Sequence, residues 1–218
     1  MKKLRILPLI MAVIMSAACF TGCDKKGEMR DMTTAEIVND MGVGINLGNT
    51  FESSGMSLSS VKAYETSWGS PTITQKMIQG YADSGFGVLR VPVAWSNLMT
   101  GNYDIDPDYL ARVTEVIDWA LDTGMYVIVN IHWDGGWFSR FANEEDRDEC
   151  MYKYERIWTQ LSDHFKNYSD YLMFESLNEE GGWEEIWNRY SDEGDKELSF
   201  GILNDINQKF VDLSLIHI

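Results

Sequence analysis

The stretch DPDYLARVTEVIDWALDTGMYVIVNIHW (residues 106–133) contains a predicted helix followed directly by a predicted strand. Asp106 and Pro107 are typical of a helix start, and apolar residues then recur at helical spacing until Gly124. The β-branched run after Gly124 shows no polar alternation, which is the pattern of a strand covered on both faces. A helix that leads into such a strand favours a parallel sheet.

The same helix and strand unit occurs on both sides of this stretch. Strand-like runs are GVGINLGNT (42–50), GVLRVPV (87–93) and YLMFESLN (171–178), and helical patterns are TTAEIVNDM (33–41), Pro71 to Gly85, Tyr154 to Phe165 and roughly Ser199 to Leu213. Thr33 and Glu36 have the spacing of a capping box. Alternating helices and strands predict parallel strands joined by right-handed crossovers, and therefore an α/β sheet or barrel.

Each predicted strand ends in polar or aromatic side chains. They are Asn46 and Asn49, Arg90, His132 and Trp133, and Asn178 and Glu179. Because the carboxyl ends of parallel barrel strands converge on one face, we expect these side chains to meet there. A carboxylate such as Glu179, beside an amide and facing a histidine and an arginine, can act as a general acid and base.

Aromatic side chains are abundant, and five of the eight tryptophans lie in predicted loops near glycines. These five are Trp68, Trp95, Trp133, Trp137 and Trp183. Flat apolar rings exposed in a cleft are surfaces on which sugar rings stack. Trp133, Trp137 and Trp183, together with Asn49, are therefore predicted to bind substrate.

Four segments resemble, in order and spacing, the first four strands of glycoside hydrolase family 5, the cellulase-type retaining β-glycanases. They are GINLGNTFE (44–52), GFGVLRVPVAW (85–95), YVIVNIHWDGGWF (126–138) and FESLNEE (174–180). The resemblance runs from about residue 31 to residue 212. It implies a (β/α)8 TIM barrel truncated after about four βα units, and an endo-glycosidase that acts on a β-1,4-glucan polysaccharide.

The resemblance also implies the roles of individual residues. Glu179 falls on the acid/base of a two-glutamate double-displacement mechanism, and Asn178, Arg90 and His132 fall on catalytic-site positions beside it. Trp133 stands where many relatives have a second histidine, and Glu180 stands where many have proline. Because these departures affect sugar subsites, the choice among cellulose, xyloglucan and mixed-linkage glucan stays open. A β-mannanase and a non-catalytic surface glycan-binding lipoprotein remain the alternatives.

The family's second glutamate lies on the seventh strand and has no counterpart here. We therefore expect residues 32–218 to be an incomplete catalytic domain that is inactive and, with an open strand edge, poorly soluble. The last six residues, LSLIHI (213–218), are what the start of a transposon adapter used in sequencing libraries would encode, which predicts an artefact there. The complete protein is expected to be a monomer.

The amino terminus is typical of an exported protein. Lys2, Lys3 and Arg5 precede an apolar stretch, which predicts a signal peptide over residues 1–22. The segment CFTGCDKK (19–26) resembles the lipobox of bacterial lipoproteins, with Cys23 as the lipidated residue, Cys19 as the alternative, and 23–31 as a linker. We expect an extracellular or cell-surface protein whose only membrane contact is this lipid anchor.

Charge and composition exclude several other classes of function. The net charge is −16, and removing residues 1–22 takes away three basic residues and no acidic ones, which leaves −19. Such a surface repels nucleic acid. Cys150 and the three scattered histidines lack metal-ligand spacing, and no glycine-rich phosphate loop follows a strand. The sequence therefore predicts no metal and no other cofactor.

Overall fold

The computed structural model of the protein describes residues 29–179 and 183–214. Its helices are α1 (Thr34–Met41), α2 (Val61–Thr66), α3 (Gln75–Asp83), α4 (Pro107–Thr123), α5 (Arg147–Phe165) and α6 (Lys196–Ser214). Its strands are β1 (Gly44–Asn46), β2 (Val88–Val91), β3 (Tyr126–Asn130), β4 (Leu172–Glu175), β5 (Trp187–Asn188) and β6 (Glu193–Gly194). The predicted signal peptide, Cys23, Glu180 and residues 215–218 lie outside the described residues.

Strands β1 to β4 form one parallel sheet in the order β1-β2-β3-β4. Asn46 is in register with Arg90, and Asn130 is in register with Glu175. Helices α3, α4 and α5 lie in the crossovers between these strands, as the alternating pattern predicts. Strands β5 and β6 form a short antiparallel hairpin that the sequence did not indicate.

The two faces of the parallel sheet differ in burial. Leu89, Val91, Val127 and Val129 are fully buried in one core with the apolar sides of the crossover helices. The alternate residues Arg90, Ile128, Met173 and Glu175 are only partly buried. In the part of the chain that the structure describes, the prediction that the strands are covered on both faces is therefore right for the first face. It is only partly right for the second, on which Val88, Tyr126 and Asn130 are buried as well.

Local signals in the sequence set the helix ends. The Asp106 side chain accepts a hydrogen bond from the backbone N–H of Tyr109 at 2.9 Å, and Pro107 occupies the first turn of α4. Gly124 ends this helix at φ +102°, a conformation that glycine adopts without strain. At α1, Thr33 and Glu36 exchange the two hydrogen bonds of a capping box. Both predicted helix starts are confirmed.

An arginine at the beginning of the described chain binds the amino ends of strands β3 and β4. Arg30 Nε donates to both carboxylate oxygens of Asp170, at 3.1 and 3.0 Å, and its Nη2 donates to the Tyr126 hydroxyl at 2.7 Å. The guanidinium lies 4.0 Å from the ring centroid of Tyr171, which stacks on Tyr126. We call these four residues the Arg30 clasp.

None of the described helices is long and apolar enough to cross a membrane.

A buried ion pair joins α2 to α4. Glu65 is 1% exposed and accepts hydrogen bonds from the backbone N–H of Ile73 at 2.7 Å and from Arg112 Nη2 at 2.7 Å. Arg112 also donates to the carbonyl oxygen of Ile73 at 2.7 Å. Arg112 thus supplies the positive charge that allows the carboxylate of Glu65 to be buried.

Replacing Arg112 by alanine should lower the free energy of unfolding by about 3 kcal/mol, because Glu65 would remain buried without its counter-charge. Urea denaturation followed by tryptophan fluorescence measures this. The matched control is Arg140→Ala, which removes an exposed pair with Asp146 and should cost no more than about 1 kcal/mol. Equal losses in the two variants would contradict the assignment.

Candidate active site

Polar side chains at the carboxyl ends of the strands gather around Arg90. Its Nε donates to Glu175 Oε2 at 2.7 Å and its Nη2 donates to Glu175 Oε1 at 2.5 Å. Nη2 also donates to Asn178 Oδ1 at 2.8 Å, and Nη1 donates to Asn46 Oδ1 at 3.3 Å. One guanidinium therefore joins residues from β1, β2 and the end of β4.

Arg90 and Glu175 each favour the ionised form of the other. The hydrogen bond to Glu175 raises the pKa of Arg90, although burial opposes the rise. Burial works against the ionised form of Glu175, but the hydrogen bond and charge of Arg90 outweigh it and lower the pKa of that carboxyl. Since both carboxylate oxygens receive a bond from Arg90, Glu175 is a fixed anion that orients the arginine.

His132 follows β3 and is held by Asn130, which is fully buried. The Asn130 Oδ1 atom accepts from the backbone N–H of Val93 at 3.3 Å, so its amide nitrogen must face His132. That nitrogen lies 3.2 Å from His132 Nδ1 and 3.3 Å from Glu175 Oε1. His132 Nδ1 is therefore the acceptor, and the proton of the neutral ring is on Nε2.

Burial, helped by the positive charge of Arg90, lowers the pKa of His132 below its ordinary value of 6.5. The carboxylates of Glu52, Glu175 and Glu179 act in the opposite direction but do not reverse the shift. At neutral pH the ring is uncharged. It can donate one hydrogen bond from Nε2 and carries no charge of its own.

The predicted site residues His132, Trp133, Asn178 and Glu179 line one open cleft of about 420 Å³. Trp68, Gly136 and Ser139 complete its described walls. The cleft lies at the carboxyl ends of β3 and β4, where the parallel arrangement predicts an active site. Of the four predicted catalytic residues, Glu179, Asn178 and His132 line this cleft, and Arg90 contacts it through its hydrogen bond to Asn178.

Glu179 is exposed and has an unusual backbone conformation. Its φ is +60°, in the left-handed region that costs a residue with a side chain about 1–2 kcal/mol. Such strain is found where the fold must aim a functional side chain. Here it turns the chain immediately after Asn178, so that both side chains reach the cleft.

The tryptophans divide between the core and the cleft. Trp133 and Trp68 are 47% and 40% exposed and line the cleft. The prediction for Trp183 is wrong, because its ring is 4% exposed and its Nε1 donates to the Phe138 carbonyl oxygen at 2.8 Å. Trp95 is likewise fully buried, with Nε1 bonded to the Asn130 carbonyl oxygen, and cannot meet a sugar.

Trp137 lies in the turn after β3 and is partly buried. Its ring stacks on Phe138 at 3.9 Å between centroids, and the Lys153 ammonium lies 4.4 Å from its centroid. Its Nε1 donates to Asp134 at 2.7 Å. With these neighbours Trp137 packs beside the cleft and is not among its described lining residues, so its contact with substrate stays a prediction.

Asn49 lies in the turn after β1, with φ +58°. Its backbone N–H donates to the carboxylate of Glu52, which is 5% exposed and also accepts from the Thr50 N–H at 2.9 Å. The Asn49 side chain is not among the described cleft-lining groups, so its contact with substrate stays a prediction.

Sequence reasoning missed two residues that hold the site in place, namely Asn130 and Glu175. Each is polar and is the last residue of an apolar strand, and this position is the signal that could have identified them. Their roles depend on the strand register, which places Asn130 beside Glu175. No group of three or more His, Cys, Asp or Glu side chains in residues 29–179 and 183–214 could hold a metal ion.

Comparison with known proteins identifies the family of this chain. The family model described as cellulase (glycosyl hydrolase family 5) matches residues 48–212. Endoglucanase A of Ruminococcus albus is 36% identical over 192 residues, covering 86% of this chain and 50% of the relative. The xyloglucan-specific endo-β-1,4-glucanase of Bacteroides ovatus is 35% identical over 188 residues, covering 84% of this chain and 36% of the relative.

Solved structures give the same result for the fold. A GH5-4 broad-specificity endoglucanase from Clostridium longisporum superimposes with a TM-score of 0.74 at 32% identity, over 85% of this chain and 52% of that chain. The predicted α/β barrel class is confirmed. The chain spans half or less of the length of the two curated relatives named above.

The neutral state of His132 gives a pH-dependent signature. Because the unfolded chain binds the proton more readily, lowering the pH through about 6.5 should remove stability that His132 contributes. An NMR titration of the histidine rings should show His132 titrating below 6.5. Its resonance is identified by its loss in His132→Gln, with the exposed His164→Gln as control. A midpoint at or above the ordinary value would contradict the assignment.

Proposed function

Because the chain belongs to glycoside hydrolase family 5, we propose that the protein carrying this sequence is a retaining endo-β-1,4-glucanase with Glu179 as its acid/base. The observation that carries the proposal is the cleft in which Glu179 lies beside Asn178, His132 and Trp133. A carboxylic acid in an open groove beside an amide donor and an exposed aromatic ring suits a long, uncharged sugar chain. The acidic surface suits an uncharged substrate as well.

In the proposed reaction, Glu179 protonates the glycosidic oxygen that leaves, while a second carboxylate attacks the anomeric carbon. Water then enters, and Glu179 removes its proton as the covalent bond to the enzyme breaks. Glu175 is unsuited to be the attacking group, because both of its oxygens are engaged by Arg90. We propose that the second carboxylate comes from a part of the protein outside this sequence.

Arg90 supports this chemistry by orienting Asn178. Since the arginine can only donate, it holds the amide oxygen toward itself at 2.8 Å. The amide nitrogen is then the group of Asn178 that can donate to a sugar hydroxyl, and we assign it to the 2-hydroxyl of the sugar that is attacked. A hydrogen bond there strengthens as the transition state develops.

His132 and the exposed aromatics would position the sugar. The neutral imidazole can donate from Nε2 to a sugar hydroxyl or to the second carboxylate. Trp133 and Trp68 present partly exposed rings in the same cleft, on which pyranose rings can stack. This arrangement supports binding of several consecutive sugars.

The preferred glucan is proposed from the relatives. One is named as specific for xyloglucan and a solved structure is titled as a broad-specificity endoglucanase, so a β-1,4-glucan backbone is the common element. Initial rates on carboxymethylcellulose, xyloglucan, mixed-linkage glucan and mannan would test the choice. Preference for mannan would identify a β-mannanase instead.

Replacing Glu179 by glutamine in the full-length protein should lower kcat/KM on cellotetraose by about 10²–10⁴-fold, because the leaving oxygen is no longer protonated. With 2,4-dinitrophenyl β-cellobioside, a burst of dinitrophenolate should remain, since this group leaves without a proton. The control is Glu184→Gln, at an exposed acidic residue nearby in sequence. Unchanged turnover on cellotetraose would exclude Glu179 as the acid, and a protein that binds glycan without any turnover would be a binding protein.

The 218-residue chain by itself is expected to be inactive on carboxymethylcellulose, because the proposed mechanism needs two carboxylates. Reducing-sugar release by the purified chain measures this, with the full-length protein as the positive control. Turnover by the chain alone at a rate similar to that of the full-length protein would show that a carboxylate within this sequence attacks the sugar.

We also propose that the protein is exported and lipidated at Cys23, on the basis of the amino-terminal sequence alone. Labelling of cells with an alkyne fatty acid, followed by capture of the protein, would test this. Cys23→Ser should abolish the label, and Cys19→Ser should retain it. Labelling that depends on Cys19 instead would assign the lipid to Cys19. Absence of label in the protein without substitutions would exclude a lipid anchor.

A further inference from the structure

A buried carboxylate holds the turn that follows β3. Asp134 is 2% exposed, has φ +48° and lies directly after Trp133. Its Oδ1 accepts from the backbone N–H of Ser96 at 2.8 Å. Its Oδ2 accepts from the Ser96 hydroxyl at 2.7 Å and from Trp137 Nε1 at 2.7 Å. Asp134 has no role in the proposed catalysis, and the sequence predicted none for it.

The three donors require a carboxylate at position 134. A peptide N–H and an indole N–H can only donate, and one faces each oxygen of Asp134. An asparagine amide has one oxygen and one NH2 group. Whichever way it is turned, its NH2 group would face one of these two donors. A carboxylate accepts on both sides without conflict.

Asp134 joins segments that follow two different strands. Ser96 lies beyond β2 and Trp137 lies beyond β3, so the carboxylate fixes the second segment to the first. Burial raises the pKa of Asp134, whereas the charge of Lys153 and the hydrogen bonds from Ser96 and Trp137 oppose the rise. The stacking of Trp137 on Phe138 gives the indole donor a fixed position.

The ring of Trp133 depends on the conformation of this turn. Gly136 has φ +76°, and a methyl group there would lie 3.2 Å from the Trp133 ring. Gly55 has φ +83° and lies on the same indole, where a methyl group would come within 3.6 Å. The backbone N–H of Gly135 donates to the Ser54 hydroxyl at 3.1 Å. Trp133 is thus placed by the backbone around Asp134.

We propose that Asp134 is a positioning residue that fixes Trp133 as a stacking surface for a β-linked glucose unit in the cleft. Asp134 itself does not touch the sugar. The inference rests on the proposed function, because it assigns the Trp133 surface to a glycan. Glu179 and Asn178 follow β4, whereas the hydrogen bonds of Asp134 go to Ser96 and Trp137. The effect of Asp134 therefore falls on sugar binding and leaves protonation of the leaving oxygen intact.

The test is Asp134→Asn in the full-length protein. We expect KM for cellohexaose, and its Kd measured by calorimetry in the inactive Glu179→Gln background, to rise about tenfold, with kcat changed by less than about twofold. Thermal unfolding of each variant separates displacement of the turn from loss of the fold.

A second substitution keeps the test decisive if the first variant is merely unstable. Trp137→Phe removes the indole N–H, so an amide nitrogen at position 134 can instead donate to the Ser96 hydroxyl. In a protein that already carries Trp137→Phe, Asp134→Asn should therefore change KM by no more than about twofold. The difference between this change and the tenfold change in the unsubstituted protein is the coupling between the two positions. A purely structural effect of lost charge would be the same in both backgrounds.

The possible results separate the two claims. If the unsubstituted protein neither binds nor cleaves cello-oligosaccharides, the proposed function fails and this inference fails with it. If the unsubstituted protein is active but Asp134→Asn leaves KM and Kd unchanged, or lowers kcat alone, only the positioning role is overturned. Equal effects of Asp134→Asn with and without Trp137→Phe would overturn it as well.

Discussion

The ion pair between Arg90 and Glu175 is the interaction on which the site depends. Its two side chains are only partly exposed, and each favours the ionised form of the other. The pair spans from β2 to β4 past the intervening β3. Through it, Arg90 orients Asn178, and Glu175 accepts from Asn130, which fixes the His132 tautomer. A partly buried ion pair adds little net stability, so we infer that its main effect is geometric.

Much of the fold could be predicted because its signals are local. The limits of α4 follow from Asp106 and Gly124, and the apolar run after Gly124 is strand β3. Parallel pairing then requires the strand ends to meet, which is why His132 and Glu179 share a cleft. The partner of Glu175 could not be predicted, since it depends on strand register. A carboxylate bound to arginine and one directed at solvent look the same in a sequence.

The tryptophans show a second limit of sequence reasoning. Proximity to glycine does not distinguish a ring in the core from a ring in the cleft. What separates them is the partner of the indole N–H, which for Trp95 and Trp183 is a backbone carbonyl oxygen in the interior. Such a partner satisfies the polar atom and allows the whole ring to be buried. That partner is contributed by a distant segment, so nothing in the adjacent sequence reveals it.

The Arg30 clasp and the cleft lie at opposite ends of the parallel sheet. The clasp binds the amino ends of β3 and β4, whereas the cleft opens at their carboxyl ends. The five residues of β3 therefore stand between them, a separation of roughly 17 Å along the strand. The described chain therefore begins at the end of the sheet opposite the cleft.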